Sequence, residues 1–199
     1  MSGVIQATNL QTANIKSATG NAGATIASNG DITMSASRKL YAPGHILQVS
    51  QAQFLGNYNF DDGSYQDISN GGESLSVSIT PSSTSSKILV KCVLCASANS
   101  SQRFGVRIVR DGNMIFVPTS IGSRTAAHVF GDGLGSNKPT PPSVIELLDV
   151  PSSTSALTYK VQAFCESDSF LYINQCQTWD NDSSKFGAVS TLTVMEVAG

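Results

Sequence analysis

Charge is the first thing this sequence is short of. Asp, Glu, Lys and Arg make up 13% of its 199 residues, and the 12 Lys and Arg never gather into a patch. A nucleic-acid surface needs a concentrated basic footprint to displace counterions, and a polybasic membrane contact needs the same, so the composition argues against both partners. Histidine is scarce, with only His45 and His128, and Trp179 is the single tryptophan. No apolar run approaches the length of a membrane span. The opening MSGVIQATNLQTANIK lacks the basic, apolar and small-residue succession of a secretory leader, so none is expected.

Low charge does not signal disorder here, because β-branched and apolar residues alternate with polar ones through the second half. Surface polarity has to come from Ser, Thr, Asn and Gln. The four cysteines are Cys92, Cys95, Cys165 and Cys176. KCVLC has the C-x-x-C spacing of a metal knuckle, but it lies in a strand-like run, where residues three apart point to opposite faces. Neither histidine is near a cysteine in sequence, so no metal site is expected, and the four thiols read as reduced groups in or near a core assembled in a reducing cytoplasm.

The chain changes texture near residue 42. Before it, Ile5, Leu10 and Ile15 recur every five residues, then Ile26 and Ile32 six apart, among Ala, Asn, Thr, Gly and Ser. One copy of such a segment buries too little to offset its ordering entropy, whereas copies wound around a common axis could bury each isoleucine against its equivalents. Residues 1–42 therefore read as an extended oligomerisation or attachment segment, and 43–199 as the main domain.

Pro43 and Gly44 mark the boundary. Strand-like runs come after it at 45–51, 52–58, 74–80, 87–96, 103–110, 113–118, 143–149, 157–165, 169–176 and 188–197, with no helical period among them. Ile88, Val90, Cys92 and Leu94 form one inward set, and Tyr159, Val161 and Ala163 another. RIVRDGNMIF predicts a tight hairpin at Asp111 and Gly112, and SNGGES a second turn. Residues 119–142, rich in Gly and Pro, read as exposed loop. The sequence PSSTS occurs twice, at 81–85 and 151–155, each time as a corner between strands: proline cannot donate to a ladder, and the hydroxyls compete with sheet pairing. Regular antiparallel strands without helices predict an all-β, antiparallel, jelly-roll-like β-sandwich head.

Catalytic chemistry finds little support. Two histidines leave few bases to activate a nucleophile, and no G-x-S-x-G elbow occurs. GDGLGSN lacks the Lys and Ser/Thr of a phosphate loop. The neighbouring pairs Asp61/Asp62 and Asp180/Asp182 lie in polar loops that give no reason for a raised pKa, and Asp180/Asp182 have no calcium-loop order. Trp179 beside Asp180 and Asp182 offers an aromatic face next to carboxylates, suited to a sugar ring. With His128, these form the candidate receptor contacts. No catalytic residue and no cofactor are expected.

Four segments, LSVSITPSSTSSKILV, RIVRDG, DVPSSTSALTYKVQ and STLTVMEVA, spread over residues 75 to 197, resemble the β-rich C-terminal domain of tail fibre-like and other structural proteins of tailed bacteriophages, notably those of cyanobacteria and other marine hosts. The opening 33 residues are similar to the short N-terminal segments that tie such domains to the particle. The resemblance implies a non-enzymatic virion component, assembled in the host cytoplasm as a homotrimer. Its N-terminal segment would meet other virion proteins, and its β-domain a host-surface glycan or protein. A short fibre-type adhesin is the first expectation, a capsid decoration or head-fibre protein the second, and a glycan-degrading enzyme a remote third.

Overall fold

A computed structural model describes residues 14–16, 22–34, 42–61, 63–99, 102–119, 122–134, 140–166, 170–176 and 187–199. The chain divides into two compact units, Met1–Ala42 and Pro43–Gly199.

In the first unit, β1 (Asn14–Lys16), β2 (Ala22–Ile26) and β3 (Ile32–Met34) form a three-stranded antiparallel sheet in chain order. The described part thus folds back on itself instead of running as one extended segment. The β2–β3 turn uses Gly30 at positive φ, and Asn29 bonds to the Asp31 carboxylate and backbone. Ile15 pairs with Ala24 and Ile26 with Ile32. Ile32 is exposed in the single chain, and Ile5 and Leu10 lie outside the described residues.

The second unit is an antiparallel β-sandwich. Its strands are β4 (Ile46–Phe54), β5 (Tyr58–Phe60), β6 (Gln66–Asp67), β7 (Ser69–Asn70), β8 (Glu73–Ser74), β9 (Ser76–Ile79), β10 (Lys87–Leu94), β11 (Ala96–Ala98), β12 (Arg103–Arg110), β13 (Asn113–Met114), β14 (Val129–Asp132), β15 (Ser143–Asp149), β16 (Leu157–Cys165), β17 (Leu171–Ile173) and β18 (Ser190–Val197). One sheet has the order β15, β10, β18, β4; the other has β13, β12, β16, β6, with β14 also pairing β12 and β9 also pairing β16. Two smaller sheets, β11–β17–β5 and β7–β8, complete the set.

The core is one cluster drawn from both main sheets. The alternation read from the sequence sets its membership: Ile88, Val90, Cys92 and Leu94 from β10 and Tyr159, Val161 and Ala163 from β16 are all fully buried. Each buried Val, Leu or Ile side chain among them contributes roughly 1.5–3 kcal/mol relative to exposure. The four cysteines form no disulfide with one another, and burial, with a smaller contribution from Cys95, pushes the Cys92 thiol up to about 12. The hairpin at Asp111 (φ 49°) and Gly112 (φ 83°) joins β12 to β13, pairing Arg110 with Asn113.

Three runs fall differently from the sequence reading. Residues 45–58 give one nine-residue strand and a short one, since nothing at Gln51–Ala52 favours a turn. The run 113–118 stops at Met114, because Phe116 takes a left-handed backbone (φ 51°) and leads the chain out of the ladder. The expected loop 119–142 contains β14, whose Gly131 faces the Phe104 ring: a Cβ there would sit 3.0 Å from it. Glycine is needed for that close approach, and it is the same residue that hides the strand in the sequence.

Both PSSTS segments carry the chain from one sheet to the other, β9 to β10 and β15 to β16. Both leave the same end, because Asp149, Ile88, Glu196 and Gln48 form one transverse row of the first sheet. Its two carboxylates are buried, Glu196 completely. Glu196 accepts from the Ser82 N–H (2.6 Å) and Ser82 Oγ (3.2 Å), Ser86 Oγ (2.7 Å) and Gln48 Nε2 (2.6 Å). Asp149 accepts from Arg110 and from the Tyr159 hydroxyl (2.7 Å), both on the opposite sheet.

Burial works to raise the Glu196 pKa, but the hydrogen bonds from Ser86, Ser82 and Gln48 outweigh it and hold the carboxyl below its ordinary value. Its contribution to stability is therefore complete above about pH 4.3 and is lost as pH falls through the lower native value. Glu196→Gln should destabilise the β-domain by about 2 kcal/mol at neutral pH, because it loses a charge-assisted set of bonds. It should also flatten the acid limb of stability against pH. Urea unfolding of both proteins across the acid range checks the two effects together.

Candidate functional site

The solvent face of the second sheet combines aromatic and planar polar groups. Gly105 on β12 lies between Phe130 on β14 and Phe164 on β16. Phe130 is 84% exposed. The Tyr65 ring sits 5.7 Å from that of Phe164, and its hydroxyl donates to the Ala126 carbonyl (2.6 Å). A Cβ at Gly105 would come within 3.0 Å of the Tyr65 hydroxyl oxygen, so the missing side chain is what lets the tyrosine cross the sheet.

One row further along, Arg107 stands over the Tyr65 ring at 3.8 Å from its centroid and donates from Nε to Gln162 (2.9 Å). Gln162 donates to Asp67 (2.7 Å), and Lys160 pairs with the other Asp67 oxygen (2.7 Å). Burial opposes ionisation of Asp67, but the bonds from Lys160 and Gln162 prevail and lower its pKa. The result is a hydrogen-bonded polar strip beside solvent-facing rings, a surface that can stack on a ligand and bond its edges.

The solvent face of the first sheet carries an aliphatic row. Leu148, Leu89, Met195 and Val49 stand in one transverse row across all four strands. Val49 is 59% exposed and Leu148 45%. The next row is polar: Lys91 pairs with Glu146 (3.6 Å), and Gln51 donates to Thr193 (2.7 Å). The outward side of β10 alternates Lys87, Leu89, Lys91 and Val93, so the aliphatic row is a stripe bordered by polar groups, the form of a surface that suits partial cover by a partner.

Of the candidate receptor contacts, Trp179, Asp180 and Asp182 lie outside the described residues. His128 is half-buried, and both its ring nitrogens are in use. Nδ1 accepts the Ile108 N–H (2.9 Å), so the proton sits on Nε2, which donates to the Ile115 carbonyl (2.7 Å). The ring is a brace between β12 and the segment after β13 and has no free nitrogen for a receptor. Asp61 is exposed, and Asp62 is outside the described residues. The residues that sequence reasoning passed over are Tyr65, Arg107, Phe130 and Phe164. An isolated aromatic on a polar strand face has no sequence signal apart from its place in the alternation. Among the described residues, no three His, Cys, Asp or Glu side chains gather in one place, and no helix is long and apolar enough to cross a membrane. No protein-family model matches the chain, and no curated protein sequence matches it.

Burial, reinforced by the charge of Arg107, lowers the His128 pKa against the opposing effect of the Ile115 bond. The unfolded chain therefore takes up the proton first. Stability from this brace should be complete above about pH 6.5 and fall as pH drops from there through the native pKa. Ring ¹⁵N spectra should show Nδ1 still unprotonated just below the unfolded value, with unfolding free energy already declining.

Proposed function

We propose that this chain is a structural protein of a tailed-phage virion: a short, trimeric, fibre-type adhesin, attached through residues 1–42 and contacting the host surface through its β-domain. The observation that carries the reading is the contrast between two solvent faces of one sandwich. The Leu148–Leu89–Met195–Val49 face suits burial against sister copies or neighbouring virion proteins, while the Phe130–Phe164–Tyr65 face with Arg107, Gln162 and Asp67 suits a receptor of mixed polar and apolar character. The sequence resemblance and the separate first unit support the attachment role. Cysteines outside any disulfide suit assembly in a reducing host cytoplasm. The role is non-enzymatic: adhesion at a glycan or protein of the cell surface.

A second reading, a capsid decoration or head-fibre protein without a receptor, draws on the same aliphatic face, which would then lie on the shell. Electron microscopy of the particle with this chain labelled separates them. Few copies at the tail favour the adhesin; hundreds over the head favour decoration.

Two substitutions test the association. Ile15→Asp places three charges on one axis and should prevent trimer assembly. Val49→Lys, at an exposed position, should leave the β-domain folded while weakening association of full-length chains. Sedimentation analysis reads both: an unchanged trimer mass in both variants would remove these two contact surfaces from the proposal, and a monomer mass for the unsubstituted chain would remove the oligomer.

A further inference from the structure

At the end of the sandwich where the PSSTS crossings lie, an open cleft of ≈ 330 Å³ is walled by Arg110, Asp111, Asn113, Met114 and Phe116 from the β12–β13 hairpin and the segment after it, and by Asp149 from the other sheet. We propose that this cleft is a binding subsite for a neutral saccharide. The proposal rests on the adhesin reading only for its biological setting.

The lining has the chemistry that sugar hydroxyls require. Asp149 is only 6% exposed, and among the described residues its two hydrogen-bond donors, Arg110 and Tyr159, both reach Oδ2. Oδ1 keeps its acceptor capacity. Alongside it the Arg110 guanidinium supplies donors, so acceptor and donor lie side by side, matching adjacent hydroxyls that each give and take a bond. The Asn113 amide and Asp111 carboxylate extend the same pattern along the wall, and Phe116 and Met114 provide apolar surface for the C–H face of a ring. The Arg110 charge is balanced by Asp149, and Asp111 adds a negative one, so the cleft selects against anions such as phosphates. Its predominantly polar wall suits an apolar ligand poorly. The volume holds about one to two sugar rings.

Phe116 is the residue that most needs a reason. A bulky residue at φ 51° is strained, and Phe116 is 54% exposed, so packing within the chain gives little in return. The backbone beside it is held from two directions. His128 Nε2 donates to the Ile115 carbonyl (2.7 Å), and the hairpin is tied to β16 by the Asp111 N–H to the Thr158 carbonyl (2.9 Å) and the Thr158 N–H to the Asp111 carboxylate (2.8 Å). A strained aromatic on a braced wall is preorganised for a ligand.

The test is titration of the full-length ¹⁵N-labelled chain with methyl glucoside, methyl galactoside, methyl mannoside and N-acetylglucosamine, on wild type and on Phe116→Gly. Glycine relieves the backbone strain, so the variant should unfold at the same or a higher temperature. The expected result is saturable millimolar binding of at least one sugar with shifts centred on the amides of Arg110, Asn113 and Phe116, weakened at least about tenfold in Phe116→Gly. Asn113→Ala, on the exposed rim, should weaken it as well. The proposal is overturned if none of the four sugars moves those amides, or if Phe116→Gly binds as wild type does. Adhesion of the chain to host cells is measured in parallel. Adhesion that survives Phe116→Gly and excess soluble sugar would remove the cleft from the host contact and leave the adhesin reading intact. Sugar binding at the cleft without adhesion would do the reverse.

Discussion

The structure of the β-domain depends on two carboxylates buried at one end of the sandwich. Glu196 and Asp149 stand on either side of Ile88 in the last inward row of the first sheet. Each needs partners from elsewhere, because a charge withdrawn from water without them would unfold the end it sits in. Glu196 draws in the first PSSTS corner through Ser82 and through Ser86, the residue that follows it. Asp149, just before the second corner, takes Arg110 and Tyr159 from the opposite sheet. The repeated loop is thus used wherever the chain crosses between sheets beside a buried acid.

The far end is polar in a different way. Asn174, in a left-handed backbone and almost fully buried, donates to the carbonyls of Phe54 and Gly56 and accepts from Ser190, which in turn receives the Cys95 N–H. A neutral amide there joins β4, β17 and β18, and an aliphatic core lies between the two polar nodes. Fixed ends leave the sheet faces free to differ, and the aliphatic and aromatic faces proposed for assembly and for the receptor are built on that. The Arg110–Asp149 contact holds the sheets together and forms one wall of the cleft, so this part of the binding surface comes at little extra cost in ordering.

Much of the architecture was legible because it is local. Alternation in KILVKCVL and LTYKVQAFC placed the inward residues, and Asp111–Gly112 placed the hairpin. Short strands were not legible: β14 is four residues long and contains a glycine whose reason is the Phe104 ring from another strand. Of the site, His128 was noticed, but that both its nitrogens bond backbone groups at Ile108 and Ile115 was not legible, since those partners come from other segments. Phe116 drew no notice, because nothing in its neighbours announces a positive φ.

By itself, the sequence determined the all-β class, the change of texture near Ala42, the two corners and the identity of most core side chains. Each of these comes from propensity and period within a few residues. Tertiary structure alone decided which acids are buried, which aromatics share a face and where a cleft opens. Those depend on register between distant strands, as with Ser82 and Glu196, 114 residues apart. A hydrogen bond between such residues exists only after the sheets have paired and stacked, so no local pattern can carry it.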